Sequence, residues 1–256
     1  MNSRPFIIEV EDLSKSFSKR DGTLIEVLNG ITFTVPEGEF CCIVGPSGCG
    51  KTTLLNILAG LSSPDSGKVV IRDKSALNPS VRIGYVFQKS RLLRWKTVRG
   101  NLEFALKSLR IPKDEWNDKI NYYVDLVGLA DFVNEYPFSL SLGMEKRLAL
   151  ARGLIINPDL LLMDEPFSSV DEITARELRR DLINIWQREK KTIIFVTHNI
   201  LEAINMADKV ILLSRIPTKV LRIFEIPFPR EERLTDTRSL ETQKTIVEIM
   251  DKNVMA

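Results

Sequence analysis

The pattern of apolar and polar positions divides the chain into stretches typical of strands and stretches typical of helices. Near the N-terminus, short apolar or alternating segments at 6–10, 25–28 and 31–35 predict strands. Uninterrupted apolar runs at 40–44, 160–163 and 192–196 are typical of strands buried on both faces. Shorter strands are expected at 68–71, 83–87 and 209–213.

Helical spacing of apolar residues replaces this pattern between about Leu92 and Asn157, with no strand expected inside it. After residue 158, strands alternate with helical stretches, which is typical of a parallel sheet. We therefore predict an α/β fold in one domain of 256 residues. Its core comprises 1–91 and 158–225, with a helical subdomain at 92–157 and a C-terminal tail at 226–256 containing one helix around Leu240–Met250.

Composition narrows the possible functions. Hydrophobic residues make up 44% and charged residues 27%, which is ordinary for a globular protein. A net charge of +2 gives no basic excess for nucleic acid, and no apolar run approaches the roughly 18 residues of a membrane helix. The three cysteines, two of them adjacent, have neither disulfide-framework nor zinc spacing. We expect a cytosolic, reduced chain that reaches a membrane only through a partner.

One glycine-rich segment carries the clearest chemistry, because it follows a predicted strand and precedes a predicted helix. Glycines let backbone N–H groups surround phosphate, and the helix N-terminus adds positive partial charge. Lys51 is expected to reach the β- and γ-phosphates, and the Thr52 hydroxyl to ligate Mg²⁺. A glycine-rich turn that fits by chance is the alternative, and the context argues against it. The predicted nucleotide-binding residues of this segment are Gly45, Pro46, Ser47, Gly48, Cys49, Gly50, Lys51, Thr52 and Thr53.

Two acidic residues follow the apolar run at 160–163. Asp164 is expected at the carboxyl end of a parallel strand, where ligands bind, and it would ligate the metal. Glu165 is placed to polarise the attacking water as general base. Both acids could instead cap the next helix, but the phosphate-binding segment favours the catalytic interpretation.

With these motifs the sequence resembles the nucleotide-binding subunits of ABC transporters over essentially the whole chain. The resemblance implies a P-loop ATPase core with a mostly parallel sheet, an N-terminal antiparallel β-subdomain and a helical insertion. Gln88 resembles the family's Q-loop glutamine, which contacts Mg²⁺ and the attacking water. The segment from Leu140 to Met144 is similar to the family signature, whose Ser141 and Gly143 would contact ATP held by a second subunit.

Three further residues take their roles from this resemblance. Asp171 lies in a segment similar to the D-loop. His198, the one histidine of the chain, occupies the position of the switch histidine that contacts the γ-phosphate. Phe17 resembles the aromatic residue that stacks on adenine, although a core role is the alternative. The implied catalytic set is therefore Glu165, His198, Gln88 and Lys51, with Thr52, Gln88 and Asp164 at the metal.

Leu142 is a departure from the family, which has glycine at this position. Glycine permits close approach of backbone N–H groups to phosphate. The leucine side chain either points away from that contact or crowds it, and the sequence leaves both alternatives open.

The segment around Trp95, Thr97, Val98 and Asn101 resembles the corresponding part of nitrate, sulfonate and taurine importers, with Arg94 in place of a proline. The resemblance implies ATP and Mg²⁺ as cofactors, a homodimer or paralogous heterodimer, two membrane permease subunits and a solute-binding protein. The chain would then lie peripherally at the cytoplasmic face of the membrane. The alternatives are a soluble non-transport ABC ATPase, and an exporter or weakly hydrolysing subunit.

Overall fold

The structure of the protein is a computed structural model that describes residues 5–72, 74–75, 81–233 and 235–254. The chain forms two compact units. The first comprises residues 1–81 and 192–256, and the second comprises residues 82–191. The second unit is wider than the predicted helical subdomain, whose boundaries at 92 and 157 both lie inside it and stay a prediction.

Strands and helices both contribute to the fold. The strands, in chain order, are β1 (Phe6–Ser18), β2 (Leu24–Pro36), β3 (Phe40–Val44), β4 (Ser66–Ile71), β5 (Lys74–Ser75), β6 (Ile83–Val86), β7 (Leu160–Asp164), β8 (Thr192–Thr197), β9 (Lys209–Leu213) and β10 (Val220–Glu225). The α-helices are α1 (Lys51–Leu58), α2 (Val98–Ser108), α3 (Trp116–Leu126), α4 (Leu142–Leu154), α5 (Glu172–Glu189), α6 (Ile200–Met206) and α7 (Thr237–Val254). Short 3₁₀ turns lie at Lys113–Glu115, Ala130–Phe132 and Pro137–Ser139.

In the first unit, an antiparallel sheet has the strand order β2-β1-β4-β5. The predicted N-terminal antiparallel β-subdomain is therefore present. Its strands β1 and β2 are 13 residues each, and the sequence patterns marked only their apolar parts. The polar residues between those parts continue the pairing across several register shifts.

The same unit contains the order β10-β9-β3-β8, in which β3 pairs in parallel with both β8 and β9. All residues of β3, β8 and β9 are buried, which explains their continuous apolar sequences. The last strand, β10, pairs antiparallel with β9 and is only half-buried, so it lacked the apolar run that predicts a strand. In the parallel group, all carboxyl ends lie at one edge, where loops carry function.

In the second unit, β6 pairs in parallel with β7, and helices α2, α3 and α4 pack against one another. Strand β7 is buried at every residue. Gly84 in β6 lies against α4: a Cβ there would come within 2.5 Å of the Gly153 carbonyl oxygen. The glycine therefore allows this helix to approach the strand closely. Among the described residues, no helix of either unit is long and apolar enough to span a bilayer.

Arg233 anchors the C-terminal segment of the first unit. Its side chain is 3% exposed and donates to the carbonyl oxygens of Ile204 and Ala207, at 2.9 and 2.6 Å, at the end of α6. It also donates to the carbonyls of Phe228 and Ile226 at 2.9 and 3.1 Å. Burial, with a smaller contribution from neighbouring Arg230, lowers the pKa of its guanidinium to about 10. The charge stays, because carbonyl dipoles replace water around it.

Replacing Arg233 with methionine is expected to lower the free energy of unfolding by about 3 kcal/mol, because several buried carbonyls lose their donor. Chemical denaturation of the purified chain measures the change. Arg215→Met, at an exposed arginine of the same unit, is the matched control and should change stability by less than about 0.5 kcal/mol. Equal stabilities for the two variants would contradict the anchoring role.

Candidate functional site

The phosphate-binding segment forms the turn from β3 into α1. Strand β3 ends at Val44 and α1 begins at Lys51. The helix therefore starts three residues before the apolar stretch from Leu54 that predicted it. Gly50 precedes the helix with φ 96°, and a Cβ at this residue would lie 2.6 Å from Cγ1 of Val27. The turn therefore requires glycine at position 50 for both its backbone conformation and its packing.

Backbone carbonyl groups of the loop hold the side chain of Lys51. Its Nζ donates to the carbonyl oxygens of Gly45 and Pro46, each at 2.9 Å, and the residue is 5% exposed. These contacts keep the ammonium group at the mouth of the loop instead of extended into solvent. Thr52, the next residue, is exposed.

A residue outside any motif supports the loop from behind. Thr218 is fully buried, and its hydroxyl donates to the carbonyl oxygen of Cys49. Its own backbone pairs with Val27 and Asn29 of β2. The sequence did not indicate Thr218, because a single threonine between β9 and β10 carries no local signal.

His198 lies at the same sheet edge as the phosphate loop. Val44 pairs with Thr197 in parallel register, so the residues that follow these two leave the sheet on the same side. His198 is exposed, and hydrogen bonds fix the residues on either side of it, Thr197 and Asn199. The Thr197 hydroxyl donates to the buried carboxylate of Glu202 and accepts the Asn199 N–H, while Asn199 caps α6. Glu202, which no sequence motif singled out, thus shapes the turn that carries the histidine.

Phe17 is 46% exposed on β1, which excludes the core role considered from the sequence. The Nζ of Lys15 lies 5.6 Å from the centre of its ring. An exposed aromatic face beside a cation suits stacking with a base.

The second unit brings together Gln88, Asp164 and Glu165. Because β6 and β7 pair in parallel with Val86 opposite Met163, the residues after both strands emerge at one edge. Asp164 is buried. Glu165 has φ 41°, in the left-handed region that non-glycine residues rarely adopt, and such strained backbone is frequent at functional residues. Ser168 links the two loops: its hydroxyl accepts from Gln88 Nε2 at 3.4 Å and donates to the Glu165 carbonyl at 3.0 Å.

The signature segment forms the start of α4. Ser141 caps the helix by accepting the Met144 N–H at 3.3 Å. A Cβ at Gly143 would lie 2.8 Å from Cγ2 of Thr174 on α5, so this glycine is required inside the chain itself. Leu142, which stands where the family has glycine, is 45% exposed and lines a cavity together with Gln88 and Ser168.

Asp171 caps α5, since its carboxylate accepts the Thr174 N–H at 3.0 Å. The hydrogen bonds from Thr174 lower the pKa of this carboxyl. Asp171 therefore has a structural function in addition to the role implied by the D-loop resemblance.

A cavity of about 540 Å³ lies between the Gln88 loop, the start of α4 and Ser168-Ser169. Its walls carry the basic residues Lys89, Arg91, Arg94 and Lys146 and one acid, Glu145. Loops that resemble three separate family motifs thus surround one basic cavity of the second unit.

The side chains fit a magnesium nucleotide. Mg²⁺ is usually held by one or two protein oxygens and the phosphates of the substrate, not by a cage of protein ligands. Each unit carries an oxygen donor of this kind, the Thr52 hydroxyl in the first and the Asp164 carboxylate in the second. Within the described ranges there is no cluster of three or more His, Cys, Asp or Glu that could hold a metal ion.

The fold and these loops define a nucleotide-binding α/β ATPase. The family model described as "ABC transporter" matches residues 28–168. An uncharacterized ABC transporter ATP-binding protein of Methanocaldococcus jannaschii is 41% identical over 97% of this chain and 92% of its own length. An aliphatic sulfonates import ATP-binding protein of Bacillus cereus is 40% identical, covering 88% of this chain and 89% of its own. A nitrate import ATP-binding protein of Synechocystis sp. is 39% identical, and the match covers 93% of this chain and 89% of that protein.

The fold is also similar to that of a solved ATP-binding cassette. The dimeric post-hydrolysis state of an ATP-binding cassette bound to ADP and Pi superposes with a TM-score of 0.75 at 27% identity, covering 87% of this chain and all of that one. The chain belongs to the ABC transporter family, and its predicted fold is confirmed. It is an ATP-binding component that hydrolyses ATP.

Substitutions at Gly143 and Leu142 are expected to affect different properties, the first stability and the second the ATPase rate. Gly143→Ala should lower the free energy of unfolding by about 1–3 kcal/mol, because its Cβ meets Thr174. Leu142→Gly should leave the ATPase rate unchanged or lower it, since glycine destabilises the first turn of α4 by about 1 kcal/mol. Denaturation and steady-state ATPase assays measure these effects. A faster Leu142→Gly variant would instead show that the leucine crowds a contact with phosphate.

Proposed function

We propose that this chain is the ATPase subunit of an importer for a small oxidised anion of the sulfonate or nitrate kind. The observation that carries the ATPase assignment is the turn from β3 into α1, with Lys51 folded over the carbonyls of Gly45 and Pro46. The import functions of the sulfonate and nitrate relatives support the direction of transport and the solute class.

Phosphate binding is assigned to the loop from Gly45 to Thr53. Its N–H groups and the N-terminus of α1 attract negative charge. On binding, the Lys51 ammonium exchanges its two carbonyl acceptors for β- and γ-phosphate oxygens, which are stronger acceptors because they are charged. Phe17 stacks on the base. Thr52, Asp164 and Gln88 would hold Mg²⁺, which would supply neutralisation of charge on the phosphate oxygens.

Hydrolysis is assigned to Glu165, Gln88 and His198. Glu165 accepts a proton from the attacking water, and Gln88 orients that water. His198 donates a hydrogen bond to the γ-phosphate as negative charge develops there. The hydrogen bond from Ser168 restrains the strained backbone of Glu165, from which the carboxylate projects, and positioning supplies much of the catalysis of phosphoryl transfer.

A second ATPase subunit completes the site in this proposal. Ser141 and Gly143 at the exposed start of α4 contact the nucleotide bound by that subunit, and Asp171 lies at the same interface. The partner is a second copy of this chain or a paralogue. Closure of the pair drives two permease subunits, which receive the solute from a binding protein.

Lys51 and Glu165 are expected to fail in different ways. Lys51→Ala should weaken ATP binding roughly 10- to 150-fold, because it loses a charge-assisted contact worth about 1.5–3 kcal/mol. Glu165→Gln should retain ATP, lower the turnover about 10²- to 10⁴-fold and accumulate a dimer. Binding titrations, ATPase assays and size-exclusion chromatography with ATP measure these properties.

Glu177→Gln, an exposed glutamate on α5, is the matched control and should behave like the wild type. A Glu165→Gln variant with normal turnover and no added dimer would rule out the general-base role.

The segment from Leu93 to Asn101 presents a docking surface that consists of Arg94, Trp95 and Lys96. Asn101 is buried and holds the loop from inside: its side chain accepts the Leu93 N–H at 2.8 Å and donates to the carbonyls of Leu93, Lys96 and Thr97. Trp95 remains 74% exposed between two basic residues. An exposed indole on a fixed loop suits a protein contact, and we assign it to the permease.

Co-expression with its permease subunits is expected to bring this chain to the membrane fraction, at the cytoplasmic face. The triple variant Arg94→Glu, Trp95→Ala, Lys96→Glu should abolish that recruitment by removing the aromatic anchor and reversing two charges. Fractionation and immunoblotting measure it. The control Phe104→Ala, Lys107→Glu, Arg110→Glu makes the same chemical changes at exposed residues near the end of α2. Equal recruitment of the two triple variants would reject the docking surface.

A further inference from the structure

Helix α4 holds the backbone of the loop that carries Gln88. Lys146 Nζ donates to the Gln88 carbonyl oxygen at 2.5 Å. Arg152 donates to the carbonyls of Ser90 and Arg91 at 2.9 and 2.8 Å. The helix that begins at the signature residue Ser141 is thus bonded to the glutamine loop through two cationic side chains.

The side chain of Gln88 continues this path toward the catalytic glutamate. Its Nε2 donates to the hydroxyl of Ser168, which in turn donates to the carbonyl of Glu165. A sequence of hydrogen bonds therefore runs from Lys146 through Gln88 and Ser168 to the strained backbone of Glu165. All of these residues belong to the second unit.

Lys146 is a buried cation, and burying a charged group costs free energy. The residue is 4% exposed, and burial lowers the pKa of its ammonium group, opposed only by the nearby charge of Glu145. Arg152 already fixes two carbonyls of the same loop, so Lys146 adds restraint at one residue, Gln88. A buried cation is costly unless its contacts are worth the desolvation. Restraint of Gln88 is what this contact supplies.

We propose that Lys146 is a positioning residue for ATP hydrolysis, which holds Gln88 from the signature helix so that its side chain stays between Ser168 and the reacting water. This inference rests on the proposed function, because it takes the role of Gln88 from there. Lys146 is bonded through its Nζ to the backbone carbonyl oxygen of Gln88. It acts through Gln88, so its contribution disappears when Gln88 is removed.

Lys146→Met is expected to lower kcat about tenfold and to leave KM for ATP within about twofold, because misplacing Gln88 affects the reaction more than binding. Lys146→Arg keeps a cationic donor of similar reach and should recover most of the rate. Lys107→Met, at an exposed lysine on α2, is the matched control and should match the wild type. Steady-state ATPase assays on the full chain with Mg²⁺ and ATP measure these values.

The double-mutant cycle with Gln88→Ala separates positioning from general support. If Lys146 acts through Gln88, then Lys146→Met added to Gln88→Ala should slow turnover no further. Full additivity of the two effects, or a rise in KM in place of a fall in kcat, would overturn the inference and show a structural tether. A cooperative unfolding transition checks that Lys146→Met is folded. If it is not, Lys146→Gln takes its place in the same cycle, with the same deciding outcomes.

The two levels of the proposal fail differently. Slow Gln88→Ala with normal Lys146→Met would reject the inference alone and leave the proposed function in place. Normal turnover in Gln88→Ala would reject the assigned role of Gln88 and, with it, the inference.

Discussion

The sharp turn from a fully buried strand into a helix is the constraint on which the phosphate site depends. Every residue of β3 is buried, so its direction is set by packing, and α1 must start within a few residues of its end. Only glycine satisfies both the backbone conformation and the contact with Val27 at position 50. The resulting loop is so compact that the side chain of Lys51 reaches the carbonyl oxygens of Gly45 and Pro46 within the same loop. The hydrogen bonds that hold the ammonium group at the loop therefore depend on the geometry of this turn.

In the second unit, helix α4 has an equivalent importance. Its first turn carries the signature residues, and Gly143 lets it approach α5. Its later turns hold the glutamine loop through Lys146 and Arg152. Arg147, between them, pairs with Asp181 of α5 at 2.6 Å. One helix thus links the segments that resemble separate family motifs, and a shift of its axis would move them together.

The strand–loop–helix context of the phosphate loop was predictable because it depends on residues close in sequence. The parallel sheet was predictable from the alternation of strands and helices along the chain. The limits of prediction have physical causes in particular residues. Strand β10 is half-buried and lacks an apolar run, so its pairing with β9 was not anticipated. Trp95 is 74% exposed on a loop that the buried Asn101 fixes by hydrogen bonds to its backbone, and local sequence does not indicate this arrangement. Asp171 combines a helix cap with its motif position, which a motif alone does not distinguish.

The sequence by itself determined the family and the ATPase activity, since the glycine loop and the segments that contain Asp164, Glu165 and His198 are recognisable from short stretches whose backbone needs are local. The tertiary structure decided which residues support them. Thr218 meets Cys49 across 169 residues, and Lys146 meets Gln88 across 58. Neither threonine nor lysine has a preference that encodes such a partner. A hydrogen bond between distant residues arises only when folding has brought a donor and an acceptor to the same buried place, and there it must form because an unpaired polar group is costly.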